Sequence, residues 1–200
     1  MTGVQTCALP ISAFLLFVFL NAKGQTAPGR NWIDSEIKYT DSDGNLVNFT
    51  HSLPKGGGVA YKNGKKYSYV VFWTRVFNQS MSPIELKVKF PDITFFKSPE
   101  SYIEIVLPRE PMNFEKVQSF DYGLTNLQSL FNDPSNQFRV LEKKINCNQE
   151  YFFYVAVFIH IEKGGSARAK FELKGQDLFY KISMGSDTTL IPCGILDFKN

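Results

Sequence analysis

Apolar and polar side chains alternate without a break over Ile84-Glu85-Leu86-Lys87-Val88-Lys89-Phe90, and again over Ala169-Lys170-Phe171-Glu172-Leu173-Lys174. Successive side chains of an extended strand point to opposite faces, so this period of two demands strands with one face on a core and one in water. A third run, Tyr151-Phe152-Phe153-Tyr154-Val155-Ala156-Val157-Phe158-Ile159-His160-Ile161, is apolar in both registers and calls for a central strand covered on both sides. Turn chemistry separates such runs at short intervals. Asp41-Ser42-Asp43-Gly44 joins a strand near 36–40 to one near 46–52, and Asn63-Gly64 is the strongest hairpin signal because both residues tolerate positive φ. Residues 78–83 turn the long run 67–77 back into 84–90, and Lys163-Gly164-Gly165-Ser166 does the same for 151–162 and 168–174. Further strands are expected at 102–107, 138–145, 178–183 and 195–198. The fold class that follows is all-β, an antiparallel β-sandwich of about ten strands, immunoglobulin-like or jelly-roll-like.

One segment departs from this pattern. Leu124, Leu127, Leu130 and Phe131 recur at helical spacing, Thr125 can cap, and Pro134 stops the chain. A short helix of about two turns therefore sits in the crossover 108–136, the longest connection of the chain. Long connections cap one end of a sandwich or carry function.

The chain has 200 residues, with 19 Phe, 15% aromatic and 20% charged residues, and a net charge of only +3. That balance excludes intrinsic disorder, a nucleic-acid-binding charge stripe, collagen and coiled coil. A single core at this length needs neither metal nor disulfide to be stable.

The first residues are set apart from the rest. Thr2-Gly3-Val4-Gln5-Thr6-Cys7-Ala8-Leu9-Pro10-Ile11 resembles the translation of a sequencing-library adapter, so 1–11 are taken as a scar and excluded from fold reasoning. Ala13-Phe14-Leu15-Leu16-Phe17-Val18-Phe19-Leu20 is too short to span a bilayer but fits the apolar core of a secretory signal, with Ala22 and Gly24 as small residues for cleavage. Residues 12–24 are thus expected to be a truncated signal peptide and 25–200 one β-sandwich domain, secreted or periplasmic, with no transmembrane segment in the mature chain. Cys147 and Cys193 remain in that domain. In an oxidising compartment they can form one disulfide; two buried, unpaired thiols are the alternative.

The run Val70-Val71-Phe72-Trp73-Thr74-Arg75-Val76-Phe77-Asn78-Gln79-Ser80, with Pro83-Ile84-Glu85-Leu86-Lys87-Val88-Lys89-Phe90-Pro91, resembles strand–turn–strand units of immunoglobulin-like sandwiches in exported bacterial proteins. With Lys23-Gly24-Gln25 and the aromatic strands, the chain looks like exported proteins of Bacteroidetes-type bacteria. The resemblance implies a fold and a destination but no activity, since sandwiches host many functions.

Chemistry-bearing patterns are sparse. Asp41-Ser42-Asp43-Gly44-Asn45 has the spacing that opens a calcium loop, but Leu46 and Ser52 stand where the loop needs Gly and Glu, so a plain turn is expected. His51, on an expected sheet surface, and His160, at a core edge, fit no zinc or catalytic spacing. Gly56-Gly57-Gly58 lacks the helix and the Lys of a phosphate loop and reads as a flexible loop. Neither Glu100 with Glu104 nor Glu110 with Glu115 forms a defensible glycosidase pair. No catalytic residue, metal site or cofactor is assigned. The odd register Tyr67, Tyr69, Trp73 and Arg75 is the candidate ligand-binding set: exposed, it would stack against a sugar or a peptide; turned inward, it would fill the sandwich core. The apolar even register Val70, Phe72 and Val76 leaves both faces of this strand fit for burial. The expected function is a non-enzymatic exported module that binds a protein or glycan at the cell envelope, with no nucleic-acid partner. The alternatives are a hydrolase or other enzyme with its site in 108–136, and a structural subunit of an envelope assembly.

Overall fold

The computed structural model describes residues 32–96, 98–160 and 166–199, with backbone alone at 95, 96 and 98–100. The adapter-like segment, the leader-like run and the Lys163–Gly165 part of the expected turn lie outside the described residues. The fold is an all-β antiparallel sandwich with one short α-helix in the crossover. One sheet runs β1 (Ile33–Thr40), β2 (Leu46–Ser52), β4 (Lys65–Asn78), β10 (Glu150–His160), β7 (Ser98–Pro108), β6 (Thr94–Phe96), with β3 (Lys55–Lys62) also on β4 and β8 (Gln137–Phe138) on β7. The second sheet runs β11 (Ala167–Lys174), β12 (Asp177–Met184), β13 (Asp187–Phe198), β5 (Ile84–Val88), β9 (Leu141–Ile145). Thirteen strands are described where about ten were expected, because β6 and β8 are too short to carry an alternation and β3 begins in the glycine run read as a loop.

The alternating runs became β5 and β11, each with one face inward. The doubly apolar run became β10, paired with β4 over ten residues from Glu150↔Phe77 to Ile159↔Ser68. On one face of this ladder Phe72, Val76, Phe153, Val155 and Val157 meet Phe171, Tyr180 and Leu196 of the second sheet. On the other, Val71, Trp73, Tyr154, Ala156 and Phe158 form a second core under the crossover. The crossover supplies 3-10 turns at Phe114–Gln118 and Phe120–Gly123 and the helix α1 (Leu127–Asn132). Asn126, in left-handed conformation, precedes α1 with no side-chain cap, so Thr125 is not the cap its sequence position suggested.

Asn63 and Gly64, at φ 50° and 75°, make the expected β3–β4 hairpin. The turn at 78–83 is different: β4 and β5 belong to separate sheets, so the chain changes layer there instead of folding back. A buried side chain holds this corner. Asn78 Nδ2 donates to the carbonyls of Ser82 (2.8 Å) and Ile145 (3.0 Å), while its Oδ1 accepts from Ser80 N–H (3.0 Å) and Oγ (2.6 Å). The three glycines also depart from expectation. They lie in β3 at a register shift, and two of them fit against Tyr69: a Cβ on Gly58 would come within 2.5 Å of Tyr69 Oη and one on Gly56 within 2.8 Å of the Tyr69 carbonyl, while Gly57, at φ 104°, faces open space.

The two cysteines are free. Register explains it. Cys193 sits beside Lys89 at one end of β5, while Cys147 follows Ile145, which pairs with Ile84 at the other end. Five strand residues separate the two positions, about 15 Å at strand rise, far beyond the roughly 7 Å that a disulfide allows. Cys193 is a core residue whose thiol donates to Leu178 O (3.4 Å), and burial pushes its pKa up.

His51 is not on a surface. It is 1% exposed and closes one edge of the sandwich, its Nε2 accepting the Phe171 N–H of β11 at 2.9 Å. A backbone N–H can only donate, so the ring proton is on Nδ1, which faces Ser35 Oγ at 3.3 Å. Burial, with nearby Lys170, holds this imidazole down at about pKa 3. The unfolded ring takes up a proton below about pH 6.5 and the folded ring resists until about pH 3. Stability is therefore full above pH 6.5 and lost as pH falls through that window. Urea unfolding of wild type should lose on the order of 3 kcal/mol between pH 7 and pH 4 that His51→Gln does not lose. Equal pH slopes for the two proteins would refute the assignment. Asn78→Ala should cost on the order of 3 kcal/mol at pH 7, read as a fall in thermal midpoint, because it strands several buried groups at once.

Candidate functional site

The crossover is fastened onto the outer face of the first sheet by polar contacts at its edges. Gln128 of α1 accepts from Tyr61 N–H (2.8 Å) and donates to Tyr61 O (2.6 Å), so one amide satisfies both backbone groups on the free edge of β3. Lys55 Nζ donates to the carbonyls of Val117 (2.8 Å) and Ser119 (2.7 Å), at the end of the first 3-10 turn, and lies over the rings of Trp32 and Tyr122. Burial lowers its pKa, with Asp121 opposing that shift. Between the clamps, Asp121, Tyr122 and Gly123 take successive left-handed conformations at φ 46°, 56° and 74°. Tyr122 fills the space between Trp32 and Trp73, donates to Leu53 O (2.5 Å), and accepts at its carbonyl from Tyr154 Oη (2.7 Å). Burial raises the Tyr122 phenol to about 12.

The four candidate residues share one face of β4, as their spacing required, but that face lies under the crossover. Tyr67 is buried against Phe131, with its hydroxyl near Tyr102 Oη (3.1 Å) and donating to Glu104 Oε1 (3.1 Å). Tyr69 is half-buried and donates to Asp121 Oδ2 (3.2 Å). Trp73 is 1% exposed, packed between Tyr122 and Phe152. These rings fill neither the space between the sheets nor an open platform; they are the second core. Arg75 is the member that reaches outward. Its guanidinium meets Glu150 through Nε (2.7 Å) and a terminal nitrogen (2.6 Å), above Phe77 and Phe152.

Where β7 ends at Pro108, the first sheet splits and a cleft of about 540 Å³ opens between the start of β10 and the segment 108–115. Its aromatic lining comes from Phe114, Phe138, Tyr151, Phe152 and Phe153. Phe114 packs edge-on against Phe152, and Arg109 stacks on Phe138 while donating to Gln137 O (2.9 Å). Of the three carboxylates in the lining, Glu110 is engaged by Lys116 (2.8 Å) and Glu150 by Arg75, while Glu115 makes no ion pair among the described residues. This is the size and character of a ligand site, apolar walls with a few fixed polar groups. The connection 108–136 is marked in the sequence by its length, but its rings are not. Phe152 sat unnoticed in a run apolar in both registers, and Phe114 and Phe138 carry no period at all.

Other clusters are structural. Asp41 Oδ2 accepts from the Asn45 side-chain amide (2.9 Å), and Oδ1 from the N–H groups of Asp43 (2.9 Å) and Asn45 (2.8 Å); the side-chain bond first and the backbone bonds after it lower the Asp41 pKa and make the segment the plain turn expected. Among the described residues no group of three His, Cys, Asp or Glu is placed to hold a metal ion. His160 donates through Nδ1 to Lys66 O (2.8 Å) at the edge of the second core, beside Tyr67 and Tyr102.

Compared with known proteins, the chain matches no family model, no curated protein and no solved structure, so geometry alone carries what can be said of function. Among the described residues no helix is long and apolar enough to cross a membrane. If the aromatic set of β4 is core, Trp73→Ala should cost about 3–5 kcal/mol in urea unfolding, as large-to-small changes in packed cores do. A cost under about 1 kcal/mol would contradict that role.

Proposed function

We propose that this chain is an exported, non-enzymatic β-sandwich that works as a binding module at the cell envelope, taking a protein or a glycan in the cleft beside β10. The cleft carries the proposal: aromatic rings on a rigid strand face a segment of the longest connection across about 540 Å³. Rings so placed offer flat apolar surface to a sugar or a peptide side chain, and Arg109 adds a directional donor at the rim. The hydrolase alternative is less well supported, because Glu110 and Glu150 are each already bound by a cation, which leaves Glu115 as the one lining carboxylate without an ion pair among the described residues and no second free carboxylate to work with it. Export and the envelope rest on the leader-like run and the resemblance to exported sandwiches.

Glycan arrays and pull-downs from envelope fractions, both with the full chain, test this. A ligand should be retained, and Phe114→Ala, which removes a part-exposed wall of the cleft, should weaken it about tenfold while leaving the thermal midpoint nearly unchanged. Substrate turnover without retained ligand, or a ligand indifferent to Phe114→Ala, would overturn the proposal.

A further inference from the structure

The floor of the cleft is a stretch of sheet edge. The Trp73 N–H is turned toward β2 and β3, where Ser52 Oγ accepts it at 2.8 Å. Alternate residues of a strand turn their backbone groups to opposite sides. Phe72, Thr74 and Val76 therefore bond to β10, through Val155, Phe153 and Tyr151, and the even residues of β10 turn their N–H and C=O groups away from β4. β7 meets them as far as Ala156, which pairs with Val106. The next residue in step is Pro108, which has no N–H, and the ladder stops. Beyond it, Arg109 N–H is committed to Asn136 O (3.0 Å) and Pro111 has no N–H to give. Among the described residues nothing bonds the backbone N–H or C=O of Phe152, and Phe152 and Glu150 line the cleft.

Elsewhere the fold covers such groups with dedicated side chains: Gln128 on Tyr61, His51 on Phe171, Ser52 on Trp73. The free edges of β1 and β9 are studded instead with Glu36, Lys38, Glu142, Lys143 and Lys144, charges that deter pairing. The edge at Phe152 has no such capping side chain, and the one charge on the strand there, Glu150, is paired with Arg75. Rings flank it on both faces, Phe114 on the crossover side and Tyr151 and Phe138 toward the sandwich.

We infer that the cleft takes an extended peptide segment of a partner protein, which adds as a short strand to β10 and pairs with the backbone of Phe152 and Glu150. This rests on the binding function proposed above and narrows its ligand to peptide. Backbone pairing supplies affinity, and alternate side chains supply selectivity. The peptide residue opposite Phe152 lies beside Phe152 and Phe114, and its two neighbours lie beside Tyr151 and Phe138, so apolar or aromatic residues are required in both registers.

A random-peptide phage library selected on the full chain, followed by fluorescence anisotropy with the enriched peptide, tests this. The enriched sequences should carry apolar residues in both registers and no proline between them. Phe152→Pro removes the N–H that faces the cleft and leaves the β4 ladder intact, whereas Phe152→Ala removes the ring alone. Affinity should be about tenfold lower for Phe152→Pro than for Phe152→Ala. Glu150→Pro against Glu150→Ala repeats the comparison at the start of the strand, where proline is tolerated, and decides the matter if Phe152→Pro does not fold. Equal affinities within each pair, or no enriched peptide, overturn the inference. A glycan retained by the full chain and lost in Phe114→Ala, with no enriched peptide, overturns it while leaving the binding proposal standing; failure of peptides and glycans alike removes both.

Discussion

The ladder between β4 and β10 has to be dry on both faces, and most of the structure answers that demand. Ten paired residues carry Phe72, Val76, Phe153 and Val155 on one side and Trp73, Tyr154 and Phe158 on the other. A second sheet can cover only one of those faces. The crossover covers the other, with Phe131 of α1 stacked on Phe158 at 3.8 Å and Tyr122 set against Trp73. Burying rings of this size is worth about 2 kcal/mol apiece. Trp73, Tyr122, Phe131 and Phe158 together gain more than the roughly 1–2 kcal/mol that each of the two left-handed residues Asp121 and Tyr122 costs. Asp121 and Tyr122 hold their conformations because the burial they permit outweighs their strain.

The same economy governs the backbone. A strand that ends inside a sheet leaves donors and acceptors that must find partners or water. Ser52 bridges the step where β2 gives way to β3, Gln128 covers β3, and His51 covers β11 with a ring kept neutral by burial. At Pro108 the ladder between β7 and β10 stops, and the opening that results is walled by rings instead of being filled by a side chain. Structure and proposed function therefore meet at one proline: the residue that ends a pairing inside the sheet also makes room for a ligand.

Much of the framework was legible along the chain. The alternation in 84–88 and 169–174 and the double-sided run in 151–160 placed β5, β11 and β10, and Asn63-Gly64 placed the tightest hairpin. The turn at 78–83 was visible as a turn, but whether it returned to the same sheet hung on the Asn78 side chain bonding to Ile145, 67 residues away. His51 looked like a surface residue because Thr50 and Ser52 are polar, yet those neighbours are buried too. Gly56-Gly57-Gly58 looked like a loop because nothing local reveals Tyr69, which leaves no room for a side chain at Gly56 or Gly58.

What the amino-acid order determined by itself was local: which stretches extend, which residues share a face, and that two registers of one strand both avoid water. Those properties depend on neighbours one to four positions apart, and period and turn chemistry record them. Only the tertiary structure decided which apolar face met the second sheet and which met the crossover, that Cys147 and Cys193 stand at opposite ends of β5, and that Trp73 is core while Phe152 borders a cleft. Those outcomes were set by contacts between residues tens of positions apart, whose free energy depends on the space left by every other element, and no local pattern carries that information.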